Sequence, residues 1–109
     1  MTIAEICAIV KPLATTIADS TADIRELSID SRQVKNPARA IFFAFKTERN
    51  DGHNYISDLI LRGVRNFVIS KSVTDLPLKD DTISLAASCN FLQVNQPLKV
   101  LQAVATAHR

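Results

Sequence analysis

Two polar segments gather the side chains best suited to holding a ligand: Asp30-Ser31-Arg32, and the longer run Lys46-Thr47-Glu48-Arg49-Asn50-Asp51-Gly52-His53. A diphosphate calls for guanidinium forks and ammonium point charges, which Arg32, Lys46 and Arg49 supply, while Ser31, Thr47 and Glu48 offer hydrogen bonds to a base or sugar. Each segment follows an apolar run that reads as a strand, the place where open α/β sheets put their ligand-binding loops. The same residues also fit a plainer reading. In it, Asp30 and Ser31 turn the chain by bonding its backbone, Arg32 pairs with a nearby carboxylate, and Asp51 caps the next helix. His53 then stands at the surface where that helix starts, and Tyr55 packs into the core. Residue types alone leave both readings open.

Other chemistries find less support. Two glycines, Gly52 and Gly63, cannot build a GxxxxGK[ST] phosphate loop or a GxGxxG fingerprint. His53 and His108 lie at no spacing to Cys, His or Glu that favours a metal, and no local pattern suggests a nucleophilic triad. Cys7 and Cys89 belong to no CxxC pattern and read as two reduced, half-buried thiols. A net charge of +2, with basic and acidic residues interleaved, gives no footprint for nucleic acid. The first ten residues, interrupted by Glu5, do not form a signal peptide, and no run is long enough to span a membrane. A cytoplasmic protein with no membrane contact is expected.

The elements that must position the polar segments follow from apolar spacing. Thr2 and Glu5 form a capping-box pattern ahead of Ile3, Ile6, Cys7 and Val10, so a helix opens the chain and ends by Pro12. Leu13 to Ala22 is ambiguous. Ile24, Leu27 and Ile29 mark a short strand, and Ala40 to Phe45, apolar without alternation, a central strand buried on both faces. Tyr55, Ile56, Leu59 and Ile60 line one face of a helix that Gly63 ends, and Asn66 to Ser70 returns as a strand. Thr82 to Ala87, in a loop-rich stretch, is read as a short edge element. Asn90 to Val94 is a buried strand, and Pro97 opens a helix with Leu98, Leu101, Val104 and Ala105 on one stripe. With 47% apolar and 22% charged residues, the whole length, 1–109, should fold as one domain. The expected class is α/β, a mostly parallel sheet covered by helices. The stop at Ala107-His108-Arg109, directly after a helix, suggests that the natural chain continues.

Taken in order, Leu27-Ser28-Ile29-Asp30-Ser31-Arg32, Ala40-Ile41-Phe42-Phe43-Ala44-Phe45-Lys46 and Glu48-Arg49-Asn50-Asp51-Gly52-His53-Asn54-Tyr55-Ile56 closely resemble the N-terminal domain of Mur ligases. The likeness continues through Arg62-Gly63-Val64 and Phe67-Val68-Ile69 and returns in Pro97 to Gln102 and Ala107-His108-Arg109. Within the family, the loop is most similar to the KGERxDGH pattern of members that join D-alanyl-D-alanine to UDP-N-acetylmuramoyl-tripeptide. Members adding the third amino acid share the DSR element but usually have another loop, and are the alternative. Thr47 stands where glycine is common, and Asn36 to Ala40 where Pro-Gly-Asp is frequent; the Lys46-Thr47 form is also similar to ligases fused to an alanine racemase. The resemblance implies a cytoplasmic peptidoglycan-precursor ligase whose other domains, in cis, bind ATP, Mg2+ and the dipeptide. There, ATP phosphorylates the tripeptide carboxylate and the dipeptide amine attacks the acyl phosphate. This part would carry no cofactor and no catalytic residue, with Ser31, Arg32 and the loop residues Lys46, Thr47, Glu48 and Arg49 contacting the UDP end of the precursor. A noncatalytic protein-interaction module is the rival from another class.

Overall fold

The computed structural model describes residues 1–108, so Arg109, the last residue of the C-terminal resemblance, lies outside the described residues. Its centre is a five-stranded sheet in the order β1-β5-β4-β3-β2. The strands are β1 (Ala14–Thr16), β2 (Glu26–Ser28), β3 (Ala40–Phe43), β4 (Asn66–Ile69) and β5 (Asn90–Gln93). From β2 to β5 every pairing is parallel, and only β1 runs antiparallel, on the edge beside β5. The expected α/β class, with a mostly parallel sheet covered by helices, is the one observed.

Both faces of the sheet are covered, which explains why β3 shows no polar alternation. Phe42, Phe67 and Phe91 point to one side and pack with Ile56, Leu59 and Ile60 of α2 (Ile56–Leu61) and with partly buried Leu85 and Ala86 of α3 (Asp80–Ala86). Ile41, Phe43, Val68 and Leu92 point to the other, against Ile3 and Ile6 of α1 (Ile3–Val10) and Val104 of α4 (Pro97–His108). A strand between two helical layers has no solvated face, so each of its positions must be apolar or fully bonded. The buried asparagines meet the second condition: Asn66 donates to the Ala40 carbonyl, and Asn90 donates to Asn66 and to the Asp19 carbonyl.

The ends of the helices follow sequence chemistry. Thr2 and Glu5 form the expected capping box at the start of α1. Gly63 takes φ 104° after α2, with its N–H donating to Ile60 and that of Val64 to Leu59, the bond pattern of a Schellman cap. Three expectations need correction. The stretch expected at 82–87 lies in α3, which ends at Ala86 with Ala87 as its cap, and is not an edge element, because Asp80 and Asp81 enrich the first turn with negative charge and Thr82 and Leu85 face inward. The ambiguous stretch after α1 supplies β1, whose three residues are all exposed and therefore leave no apolar signal. In α4 the inward stripe is Val100, Leu101 and Val104; Leu98 is 57% exposed and Ala105 faces solvent. Both cysteines are free, Cys89 buried and Cys7 partly so.

Candidate functional site

The two polar segments leave the sheet at the C-terminal ends of neighbouring parallel strands, β2 and β3. After β2, a 3-10 turn over Ser31–Gln33 is capped by Asp30, whose Oδ1 accepts the Arg32 N–H at 2.9 Å. The loop is tied down from both sides. The Arg62 guanidinium, at the end of α2, donates to the carbonyls of Ser31 and Val34, and the Glu26 carboxylate accepts the N–H groups of Lys35 and Asn36. Position is thus set by bonds from Arg62 and Glu26 to the backbone of the turn, which engage neither the Ser31 nor the Arg32 side chain.

After β3 the chain folds into a small hairpin closed by a bridge between Lys46 and Asp51. Gly52 donates to the Phe45 carbonyl at 2.7 Å, and Thr47 to that of Asn50 at 2.7 Å. Gly52 is required by space: a Cβ there would lie 2.9 Å from the Phe45 nitrogen and 3.1 Å from the Ala44 Cα, both backbone atoms that cannot swing aside. Gly52→Ala should therefore cost about 1–3 kcal/mol through overpacking, read as a lower urea midpoint at unchanged slope. An unaltered midpoint would mean that the hairpin does not pack as described.

Between the segments lies an open cavity of about 520 Å3, lined by Asp30, Ser31, Arg32, Asn50 and Tyr55 with Ile29, Phe42 and Gly52. That volume falls within the range of small-molecule sites, roughly 300–1,000 Å3. Of the sequence-selected residues, Ser31 and Arg32 line it. Lys46, Thr47, Glu48 and Arg49 form the adjoining exposed hairpin and do not line it. Asn50 and Tyr55 were not selected from sequence. The Tyr55 hydroxyl donates to Asn50 Oδ1 at 2.9 Å, so the two form one polar wall. Tyr55, just before α2, packs against the core as expected, and it also lines the cavity with its hydroxyl bonded to Asn50.

Arg32 is 86% exposed and makes a two-point pair with Asp30, through Nε and Nη2, each at 3.1 Å. Asp30 is held below the usual carboxylate range by that hydrogen bond and raises Arg32 in return. The plainer reading of these residues is thus realised, and it does not close the site. A guanidinium has further N–H groups beyond those two, and they remain open to an anion. The expectation of a surface His53 is overturned: it is completely buried, its Nδ1 lies 2.6 Å from Asp51 Oδ1, and its Nε2 accepts the Ser70 N–H at 3.1 Å. Asp51 also caps the following 3-10 turn, as expected, and meets the Lys71 ammonium at 3.3 Å. A second cavity, about 340 Å3, lies at the opposite ends of the strands, where Asn66 and Asn90 spend their amide groups on internal bonds.

The pattern of matches places this geometry. The family model described as "Mur ligase family, catalytic domain" matches residues 23–109, most of the chain and the whole of the site. The chain belongs to the Mur ligase family. It is 28% identical over 85 residues to the UDP-N-acetylmuramoyl-tripeptide–D-alanyl-D-alanine ligase of Haemophilus influenzae, a match covering 73% of this chain and 18% of that relative. Its fold is similar to a crystal structure of MurF from Acinetobacter baumannii, with a TM-score of 0.66 at 18% identity, covering 91% of this chain and 19% of the other. A second A. baumannii structure, of UDP-N-acetylmuramoylalanyl-D-glutamyl-2,6-diaminopimelate–D-alanyl-D-alanyl ligase, gives 0.65 at 16% identity, again over 91% and 19%. This Mur ligase chain therefore spans less than a fifth of the length of these relatives.

The resemblance assigns ATP and Mg2+ to the parent enzyme. Two glycines cannot form a phosphate loop. Among the described residues no three His, Cys, Asp or Glu side chains converge on a cation position, and no helix is long and apolar enough to cross a membrane.

Proposed function

We propose that this Mur ligase domain holds the UDP end of a UDP-N-acetylmuramoyl-peptide for a cytoplasmic ligase of peptidoglycan synthesis. The parent enzyme joins D-alanyl-D-alanine to UDP-N-acetylmuramoyl-tripeptide with ATP, and residues 1–109 form its N-terminal substrate-binding domain. The observation that carries this reading is the meeting of Ser31 and Arg32 with Asn50 and Tyr55 around one cavity at the ends of adjacent parallel strands. Such crevices are where α/β sheets hold nucleotides.

The division of labour follows from the side chains. Arg32 has the planar fork that suits a diphosphate. Ser31, Asn50 and Tyr55 offer neutral donors and acceptors for a base or sugar, and Ile29 and Phe42 an apolar floor. Lys46 and Arg49 add positive charge on the adjoining hairpin, where Thr47 and Glu48 supply polar contacts from the rim. These groups grip a part of the substrate remote from the bond being made, so they contribute binding and positioning alike in ground and transition states. The acyl phosphate chemistry, with its ATP and Mg2+, belongs to the other domains of the parent.

Equilibrium dialysis with labelled UDP tests the reading. UDP should be retained by the chain, displaced by unlabelled UDP, and not displaced by AMP. Equal displacement by AMP, or no retention at several times a millimolar Kd, worth only about 4 kcal/mol, would favour the noncatalytic interaction module.

A further inference from the structure

We propose that His53 is a positioning residue for this site: its neutral ring, protonated at Nδ1 alone, locks the hairpin that carries the cavity wall, and a second ring proton releases it. The inference rests on the reading of the cavity as a uridine diphosphate site, and the experiment below separates the two.

The tautomer follows from the partners. Ser70 presents a backbone N–H, which can only donate, so Nε2 must accept and carry no proton. A neutral ring then holds its proton on Nδ1 and donates it to the Asp51 carboxylate. Asp51 stands between Asn50 and Gly52, both of which line the cavity, and pairs across the bridge with Lys46. His53 therefore connects the end of β4 to the hairpin through one aligned ring. A second proton would sit on Nε2 and point at the Ser70 N–H, two donors facing each other in a buried place with no acceptor between them.

The charged groups around the ring are Asp51, Lys71 and Lys46. Burial pushes His53 below its ordinary value, the Asp51 carboxylate resists, and the two lysines add to the lowering. Burial of Asp51 itself opposes its charge, but the bonds from His53 and Lys71 outweigh this and hold it at about 2. Asp51 thus stays ionised while the ring titrates. Because the folded ring binds its proton less readily than the unfolded one, the latch is fully formed above the ordinary histidine value of about 6.5. It is lost as pH falls from there through the lower folded value.

The test is an NMR titration of the 109-residue chain from about pH 8 to about pH 4, a range spanning the ordinary histidine value. It follows the His53 ring nitrogens and the backbone amides, with UDP affinity measured at each end. The Nδ1–H tautomer is expected at high pH, with the Asn50, Gly52 and Ser70 amides moving at the same midpoint as the ring. The UDP Kd should rise about tenfold more across that midpoint than in His53→Asn, one strong hydrogen bond's worth. The variant serves to absorb any change from the nucleotide's own phosphate. If the variant does not fold, uridine monophosphate methyl ester, whose charge is constant over this range, replaces UDP in the wild-type measurement. An Nε2–H tautomer, or hairpin amides that ignore the ring's titration, would overturn the latch. UDP binding that is as tight below the midpoint as above it would overturn the positioning role and leave the uridine reading standing. Coupled ring and amide titration without UDP binding at any pH would sink the uridine reading, and with it the ligand half of the proposal.

Discussion

Phe67→Ala is expected to lower the stability of the domain by about 3–5 kcal/mol, the usual cost of emptying a fully buried aromatic site. Phe67 lies on β4, the middle strand of the sheet, and is wholly buried. Its ring stacks on Phe91 with centroids 5.4 Å apart and meets Phe42 edge-on at 6.5 Å, so truncation leaves two aromatic neighbours facing a hole. The sheet's backbone bonds keep the strands from closing in, which places the cost toward the upper end of the range. Against a total stability of about 5–15 kcal/mol for an ordinary domain, the urea midpoint should fall by a third or more. Phe67→Leu refills most of the volume and should lose far less. If alanine proved as mild as leucine, the two-sided core described here would be wrong.

The second large effect falls on ligand binding and spares stability. Arg32→Ala should weaken UDP binding by about 10- to 150-fold, the range for losing a charged hydrogen-bonding partner worth roughly 1.5–3 kcal/mol. Its side chain is almost fully exposed and pairs with Asp30, an exposed ion pair, so unfolding should stay within about 0.5 kcal/mol of the parent chain. Arg32→Lys keeps the charge and loses the planar fork, and should recover only part of the affinity. A calorimetric titration together with a urea melt reads both quantities. Equal losses in affinity and stability would point to a turn held together by the Arg32–Asp30 pair, with no ligand role.

The sequence made the centre of this molecule more legible than its edges, for physical reasons. β3, and β4 after Asn66, are continuous apolar runs because helices cover both sides of the sheet, and Gly63 ends α2 because only glycine takes φ 104° without strain. β1 escaped notice because Ala-Thr-Thr has no buried face, its pairing with β5 being made by backbone alone. α3 was hidden because so few of its positions face inward in so short a helix.

At the site, Ser31 and Arg32 could be selected because their types suit a diphosphate and they follow a strand. Their meeting with Asn50 and Tyr55 could not be read, since it depends on how the hairpin turns back over β3. His53 misled most. Next to Asp51 and Gly52 it looks like a solvated helix start, yet it is buried and accepts the N–H of Ser70, seventeen positions away, a partner that no local pattern announces. A charged or polar residue beside a glycine that tolerates no Cβ is the nearest thing to a signal for such a fold-back.

The central claim, a uridine diphosphate site on this domain, is tested most directly by an NMR titration of the labelled 109-residue chain with UDP and, separately, AMP. Saturable shifts with UDP at Ser31, Arg32, Asn50 and Tyr55, extending to the Lys46–Arg49 hairpin and absent with AMP, are the expected result. Shifts of the same residues by both nucleotides, or none from UDP at several millimolar, would contradict it.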